Sequence, residues 1–148
     1  MDIYIIDTNI VFSAVMKSDS RIGRFIMAAS RYSVKFYAPK FLQTEIDNHL
    51  PELVQRAKRP ASEVREQIEL IYSKIQFISD DQIPIDMYSK GAFYAREVDE
   101  DDIVFVALTE YFGEQLLTGD NKLYRHLITK GYQRVVNFLE IREKYDFQ

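Results

Sequence analysis

The chain has 148 residues, of which 47% are hydrophobic and 28% charged, as expected for one folded domain rather than a disordered or fibrous chain. It contains no cysteine and only two histidines, which excludes disulfides, thiol catalysis and zinc sites built from Cys and His. The formal charge of −4 excludes a protein that holds nucleic acid by charge alone.

The N-terminus begins with MDIYIIDTN, in which no basic segment precedes a long apolar stretch. We therefore expect no signal peptide. No run approaches 18 apolar residues, so we also expect no membrane span. These features predict a cytoplasmic protein with a single domain over residues 1–148.

Short apolar runs alternate with segments of helical spacing along the chain. The first run, Ile3–Ile6, is typical of a strand covered on both faces, and Asp7, Thr8 and Asn9 can cap the helix that follows. Further strands are predicted at 35–38, 76–78, 115–118 and 134–136. Further helices are predicted at 21–32, 41–50, 53–57, 60–74, 85–96, 102–112, around 123–128, and at 137–144.

This alternation predicts an α/β fold, with a mainly parallel central sheet in a three-layer α/β/α sandwich. Pro51 is expected to interrupt the helix over 41–50, because proline lacks a backbone donor and clashes with the preceding turn. We interpret residues 51–75 as a mostly helical insertion that protrudes as an arm.

Acidic residues stand where the predicted strands and helices meet. In open α/β sheets the ligand site lies beyond the carboxyl ends of the strands. Asp7 and Asp120 each follow a strand, Glu45 lies on the helix after the second strand, and Asp102 begins an apolar helix. We expect these four carboxylates to open onto the same end of the sheet.

Four carboxylates in one cleft would raise one another's pKa unless a cation offset their charge. Oxygen ligands without Cys or a His cluster favour Mg²⁺ or Mn²⁺ over Zn²⁺. Such ions activate water and stabilise the leaving oxygen of a phosphodiester. The residues alone therefore indicate metal-assisted phosphoryl chemistry.

Each acid also has an ordinary structural explanation. Asp7 can cap the first helix, and Asp120 can be a turn residue or a helix cap. Glu45 can lie on the solvated face of an amphipathic helix, and Asp102 suits the positive end of a helix dipole. The prediction of a site therefore depends on the joint placement of the four residues.

Four segments resemble the PIN-domain nucleases, the family that includes the VapC-type toxins of toxin–antitoxin pairs. They are IIDTNI at 5–10, APKFLQTEI at 38–46, DIVFVAL at 102–108 and LLTGDNK at 116–122. The resemblance implies one PIN-like domain in which Asp7, Glu45, Asp102 and Asp120 hold Mg²⁺ or Mn²⁺. It also implies that Asn9 and Thr118 orient the cluster, while Asp99 and Asp101 are alternatives to Asp102 as the third acid.

The implied activity is that of a metal-dependent endoribonuclease, which acts either as the toxin of a type II toxin–antitoxin pair or in RNA processing. RNA is then the substrate, an antitoxin protein and a second copy of the chain are candidate partners, and Lys40, Lys122 and Arg125 are candidates for contacts with the RNA backbone.

Two other functions stay open. In a haloacid-dehalogenase-like phosphatase Asp7 would be the nucleophile, although Asn9 stands where that chemistry needs a second acid. A catalytically inactive PIN-like module that binds RNA or protein is the other alternative, and the four intact acids argue against it.

Overall fold

The computed structural model describes residues 1–148, with five strands and eight α-helices. The strands are β1 (Asp2–Ile6), β2 (Val34–Pro39), β3 (Ile75–Ile78), β4 (Gln115–Leu117) and β5 (Val135–Val136). The helices are α1 (Thr8–Val15), α2 (Arg21–Ala28), α3 (Phe41–Ala57), α4 (Ala61–Tyr72), α5 (Ile85–Ala95), α6 (Ile103–Phe112), α7 (Asn121–Thr129) and α8 (Phe138–Tyr145). None of the helices is long and apolar enough to cross a membrane.

The five strands form one parallel sheet in the order β3-β2-β1-β4-β5, which confirms the predicted α/β fold with a parallel central sheet. Tyr4, Ile5 and Ile6 of the central strand β1 are all buried, so side chains on both faces of this strand are covered. The apolar helix α6 packs against β1, β2 and β4, as its burial on nearly every side requires.

The strand order reverses between β1 and β4, and this reversal places the candidate acids. The chain builds β2 and β3 on one side of β1, then crosses to place β4 on the other side. Ile6 pairs with Leu117, so Asp7 and Thr118 leave their strands at the same level. A crevice at such a switch point is the usual ligand site of an open parallel sheet.

The predicted break at Pro51 is wrong, because α3 continues through this residue to Ala57. An interior proline costs a helix about 3 kcal/mol in exposed model systems. Here Leu42, Ile46 and Leu53 bury one face of α3 on both sides of the proline. Packing of this shared face therefore outweighs the local cost.

Residues 51–75 are mostly helical, as predicted, but they do not protrude as an arm. Helix α4 packs against α1, and its Val64, Ile68 and Ile71 belong to the main hydrophobic core. Gln67 donates from Nε2 to the carbonyl oxygens of Ala14 and Lys17, each at 3.0 Å. These bonds satisfy acceptors where α1 ends, so α4 supports the helix that follows Asp7.

Helices α5 and α6 approach closely at Gly91, and this contact positions the segment that carries Asp102. A Cβ atom added at Gly91 would lie 2.6 Å from the carbonyl oxygen of Ile103 and 3.1 Å from the amide nitrogen of Ala107. Both neighbours are backbone atoms of α6 and cannot rotate away. Gly91 therefore sets how near α5 lies to the start of α6.

We predict that Gly91→Ala lowers the free energy of unfolding by about 1–3 kcal/mol, because the added methyl group forces the two helices apart. Urea denaturation followed by circular dichroism measures the loss. Lys90→Ala is the matched control, since Lys90 is an exposed residue of the same helix and should change stability little. Equal stability of Gly91→Ala and the parent chain would contradict the close-contact explanation.

Candidate active site

A cleft of about 190 Å³ lies at the carboxyl edge of the sheet, and all four predicted acids line it. The structure thus brings together carboxylates that stand far apart in the sequence. Asn9 also lines the cleft, and Thr118 lies directly behind it through its hydrogen bond to Asp7. The full lining consists of Asp7, Thr8, Asn9, Phe12, Glu45, His49, Asp99, Asp101, Asp102, Phe105 and Asp120.

Asp7 is buried at the end of β1 and is held by three hydrogen bonds. Its Oδ1 accepts from the amide of Ile10 at 3.1 Å, which caps α1, and from the amide of Gly119 at 3.4 Å. The hydroxyl of Thr118 donates to Oδ2. Burial nevertheless raises the pKa of Asp7 to about 6, although these hydrogen bonds act in the opposite direction.

The turn after β4 presents Asp120 to the cleft. Thr118 Oγ1 accepts from the Asp120 amide at 3.0 Å, and Asp120 Oδ1 accepts from the amides of Lys122 and Leu123 at the start of α7. A Cβ atom at Gly119 would lie 3.3 Å from Cβ of Asn9, so the glycine lets this turn pack on α1. Asp120 is therefore both a helix cap and part of the cleft wall.

Glu45 reaches the cleft from α3, which follows β2. The hydroxyl of Thr8 donates to Glu45 Oε1 and joins α1 to α3 across the site. Burial raises the pKa of Glu45, and the negative charges of Asp101 and Asp99 act in the same direction. Sequence reasoning assigned no role to Thr8 beyond capping, although it stands inside the Asp-Thr-Asn segment.

Of the four predicted acids, Asp102 is the one least held by hydrogen bonds. Its carboxylate accepts no hydrogen bond at the start of α6, and its buried Oδ2 has no hydrogen-bond partner. Burial, and after it the neighbouring charges of Asp7, Asp120, Asp99 and Glu45, together raise its pKa to about 8. Helix capping therefore does not explain an acid at this position.

Asp99 and Asp101 also line the cleft, but both are exposed. Asp99 Oδ1 accepts from the Asp101 amide at 2.9 Å and so has a local structural role. Asp102 is the more enclosed of the three and faces Asp7 and Asp120. Its selection as the third acid stays a prediction that the geometry favours.

The donor set fits a hard divalent cation. Every acidic donor is a carboxylate oxygen, the ligand type that Mg²⁺ and Mn²⁺ prefer. The unpartnered Oδ2 of Asp102 lies near four further carboxylates, a position that costs free energy until a cation or proton offsets the charge. The acids line one cleft, although no three of them form a preformed group at metal-ligand distances.

The cationic residues predicted for RNA contact lie outside the lining of the cleft, and their role stays a prediction. Lys40, Lys122 and Arg125 are exposed, and none of them lines the acidic cleft. The structure places Phe12 and His49 there instead, with their rings in an edge-to-face arrangement at 6.0 Å between centroids. A signal was available for His49, because it follows Glu45 by one helical turn and shares its face of α3.

A family model described as PIN domain matches residues 5–139, which is most of the chain. The chain belongs to the PIN-domain family. No curated protein matches it in sequence. A solved structure with a similar fold is the crystal structure of VapBC2 from Rickettsia felis bound to a DNA fragment from their promoter. The match has a TM-score of 0.67 and 13% sequence identity, and covers 91% of this chain and 98% of that chain.

PIN domains are a family of nucleases, and this membership confirms the resemblance seen in the four motif segments. The phosphatase chemistry would require an acid at the position that Asn9 occupies. The matched residues contain all six acids that line the cleft, including the four predicted from the sequence.

We predict that Asp102→Asn stabilises the protein in EDTA by about 1–2 kcal/mol near pH 8. In the folded chain Asp102 keeps its proton up to about pH 8, whereas its ordinary pKa is 3.8. Between these values the folded state binds more protons than the unfolded state, so its stability falls as the pH rises. Asparagine carries no charge and removes this dependence.

Thermal unfolding in EDTA from pH 4 to pH 8 measures the effect, with the exposed Asp19→Asn as the matched control. The Asp102 variant should show a flatter pH dependence than the parent chain, and the control should not. A loss of stability by more than about 2 kcal/mol would instead indicate a structural role for the carboxylate.

Proposed function

We propose that the chain is a metal-dependent endoribonuclease that hydrolyses phosphodiester bonds of RNA. The observation that carries the proposal is the buried, unpartnered carboxylate oxygen of Asp102, which lies among five other acids in the cleft of a PIN domain. A site that serves only folding has no evident use for such an oxygen.

Asp7, Glu45, Asp102 and Asp120 are the residues that would hold Mg²⁺ or Mn²⁺. When bound, such an ion would favour attack of water on the phosphodiester and offset negative charge on the leaving oxygen. The chain's own contribution is to fix the ligands in place. Thr118 and the Gly119 amide hold the Asp7 carboxylate, so its orientation depends on β4 as well as on β1.

Thr8 has the corresponding positioning role for Glu45, whose long side chain would otherwise lose rotamer freedom on binding a ligand. This hydrogen bond joins α1 to α3, so Asp7 and Glu45 come from elements whose relative position is already fixed. Preorganised ligands bind an ion without a large ordering cost.

The decisive experiment is incubation of labelled single-stranded RNA with the purified chain in Mn²⁺, Mg²⁺ or EDTA. We expect cleavage in either metal, none in EDTA, and products that carry 5′ phosphates. Asp7→Asn should lower the rate by about 100-fold or more, because the variant loses a ligand charge while keeping the side-chain shape.

Asp19→Asn is the matched control, since it makes the same change at an exposed position outside the cleft and should cleave like the parent chain. Equal cleavage by the Asp7 variant would indicate a contaminating nuclease. Hydrolysis of a chromogenic phosphomonoester, with no cleavage of RNA, would instead favour the phosphatase. Metal-free RNA binding without cleavage would favour the inactive module.

We also infer a role as the toxin of a toxin–antitoxin pair rather than in RNA processing. The support is the likeness of fold to a chain of VapBC2, which was solved bound to a DNA fragment from its own promoter. The partner of this chain would then be a small antitoxin encoded beside it. Association into a homodimer stays a prediction, which light scattering of the purified chain would check.

Expression in bacteria tests the toxin role. The parent chain should arrest growth, Asp7→Asn should not, and co-expression of the adjacent short reading frame should restore growth by covering the acidic cleft. Normal growth with the active parent chain would favour RNA processing, as would the absence of any adjacent short reading frame.

A further inference from the structure

A second groove of about 530 Å³ continues from the acidic cleft between α1 and α3. The groove and the cleft share Asn9, Phe12 and His49 as wall residues, so a chain-like ligand can pass from one to the other. Its volume lies within the ~300–1,000 Å³ typical of ligand sites. The groove is lined by Asn9, Phe12, Ser13, Met16, His49, Glu52, Leu53, Arg56 and Gly119.

Arg56 is the only lysine or arginine in the walls of the cleft and the groove. It lies two turns beyond His49 on the same face of α3. The inner cleft is otherwise rich in carboxylates, which repel a polyanion. An anionic polymer entering the cleft therefore meets a compensating positive charge at Arg56.

Glu52 competes with such a ligand for Arg56. Its oxygens lie 3.9 Å from Arg56 Nη1 and 3.7 Å from His49 Nδ1. The side chains of Arg56 and Glu52 are 67% and 61% exposed, so this ion pair is screened by solvent and contributes little to stability. A phosphate can therefore replace Glu52 as the partner of Arg56 at small cost.

Phe12 supplies an aromatic contact in addition to the positive charge of Arg56. It lies in the wall that the groove and the cleft share, with its ring edge-to-face with His49 at 6.0 Å. Aromatic side chains beside a cation are the usual platform for an unpaired base, whose face stacks on the ring while its phosphate pairs with the cation.

We propose that this groove binds the nucleotide adjacent to the scissile phosphate of a single-stranded RNA. The base contacts Phe12 and His49, and the flanking phosphate pairs with Arg56 in place of Glu52. This assignment rests on the proposed ribonuclease function, and it selects single strands because a paired base cannot present its face to Phe12. Base stacking and one ion pair then supply substrate affinity that a chain of charge −4 otherwise lacks.

The test measures binding of a fluorescein-labelled single-stranded RNA of about 12 nucleotides to the full chain carrying Asp7→Asn, by fluorescence anisotropy in EDTA. Adding Arg56→Gln should weaken binding about 5–10-fold and reduce the slope of log affinity against log salt by about 0.7, the value for one phosphate contact. Phe12→Leu, which keeps an apolar side chain but removes the ring, should weaken binding about 5-fold or more.

The direction in which Glu52→Gln changes RNA affinity distinguishes this proposal from a structural role for the ion pair. Removing the competing carboxylate should tighten RNA binding about 2–5-fold, whereas loss of a structural ion pair would leave binding unchanged or weaken it. Arg65→Gln is the matched control, because Arg65 is an exposed arginine of α4 outside both the groove and the cleft.

In the chain with Asp7 intact, Arg56→Gln and Phe12→Leu should raise KM in Mn²⁺ and Glu52→Gln should lower it, each with kcat within about twofold, since they alter binding and not the acidic cluster. Unchanged affinity in Arg56→Gln, unchanged or weaker binding by Glu52→Gln, or equal affinity for duplex RNA of the same sequence would overturn the groove assignment. If RNA binds as predicted but the chain with Asp7 intact does not cleave it, the proposed nuclease function fails while the groove assignment stands.

Discussion

The site depends on one electrostatic conflict, the burial of like-charged carboxylates where the strand order reverses. Asp102 has a pKa raised to about 8 and an oxygen without a partner, and Asp7 has a pKa raised to about 6. Folding alone gains nothing from these features, because desolvation and mutual repulsion both disfavour the charged forms. The fold must therefore hold the acids together by packing elsewhere.

That packing comes from parts of the chain far from the acids. The register between β1 and β4 brings Asp7 level with Thr118, whose hydroxyl holds the buried carboxylate. Gln67 of α4 donates a hydrogen bond to a carbonyl oxygen at the end of α1, and the close contact at Gly91 fixes the position of the first turn of α6. The acids are thus carried by elements whose positions are fixed by apolar burial and backbone hydrogen bonds.

Capping and site-building are not exclusive explanations for these residues. Asp7 caps α1 and Asp120 caps α7, yet both also line the cleft. Parallel strands and helix N-termini meet at the same edge of the sheet, so a carboxylate there can accept backbone hydrogen bonds with one oxygen and face a ligand with the other. Asp102 is the informative exception, because it caps nothing.

The sequence by itself determined the alternation of strands and helices and the placement of four acids at element boundaries, because both follow from local spacing and capping chemistry. It did not determine that α3 runs through Pro51 or that α4 packs into the core, since burial against distant residues decides both. Its assignment of RNA contacts to Lys40, Lys122 and Arg125 stays a prediction, whereas only tertiary packing places Arg56 in the wall of the groove that continues the acidic cleft. Residues next to a motif in the sequence need not line the same cleft as the motif, because the packing of α1 against α3 decides which side chains face the groove.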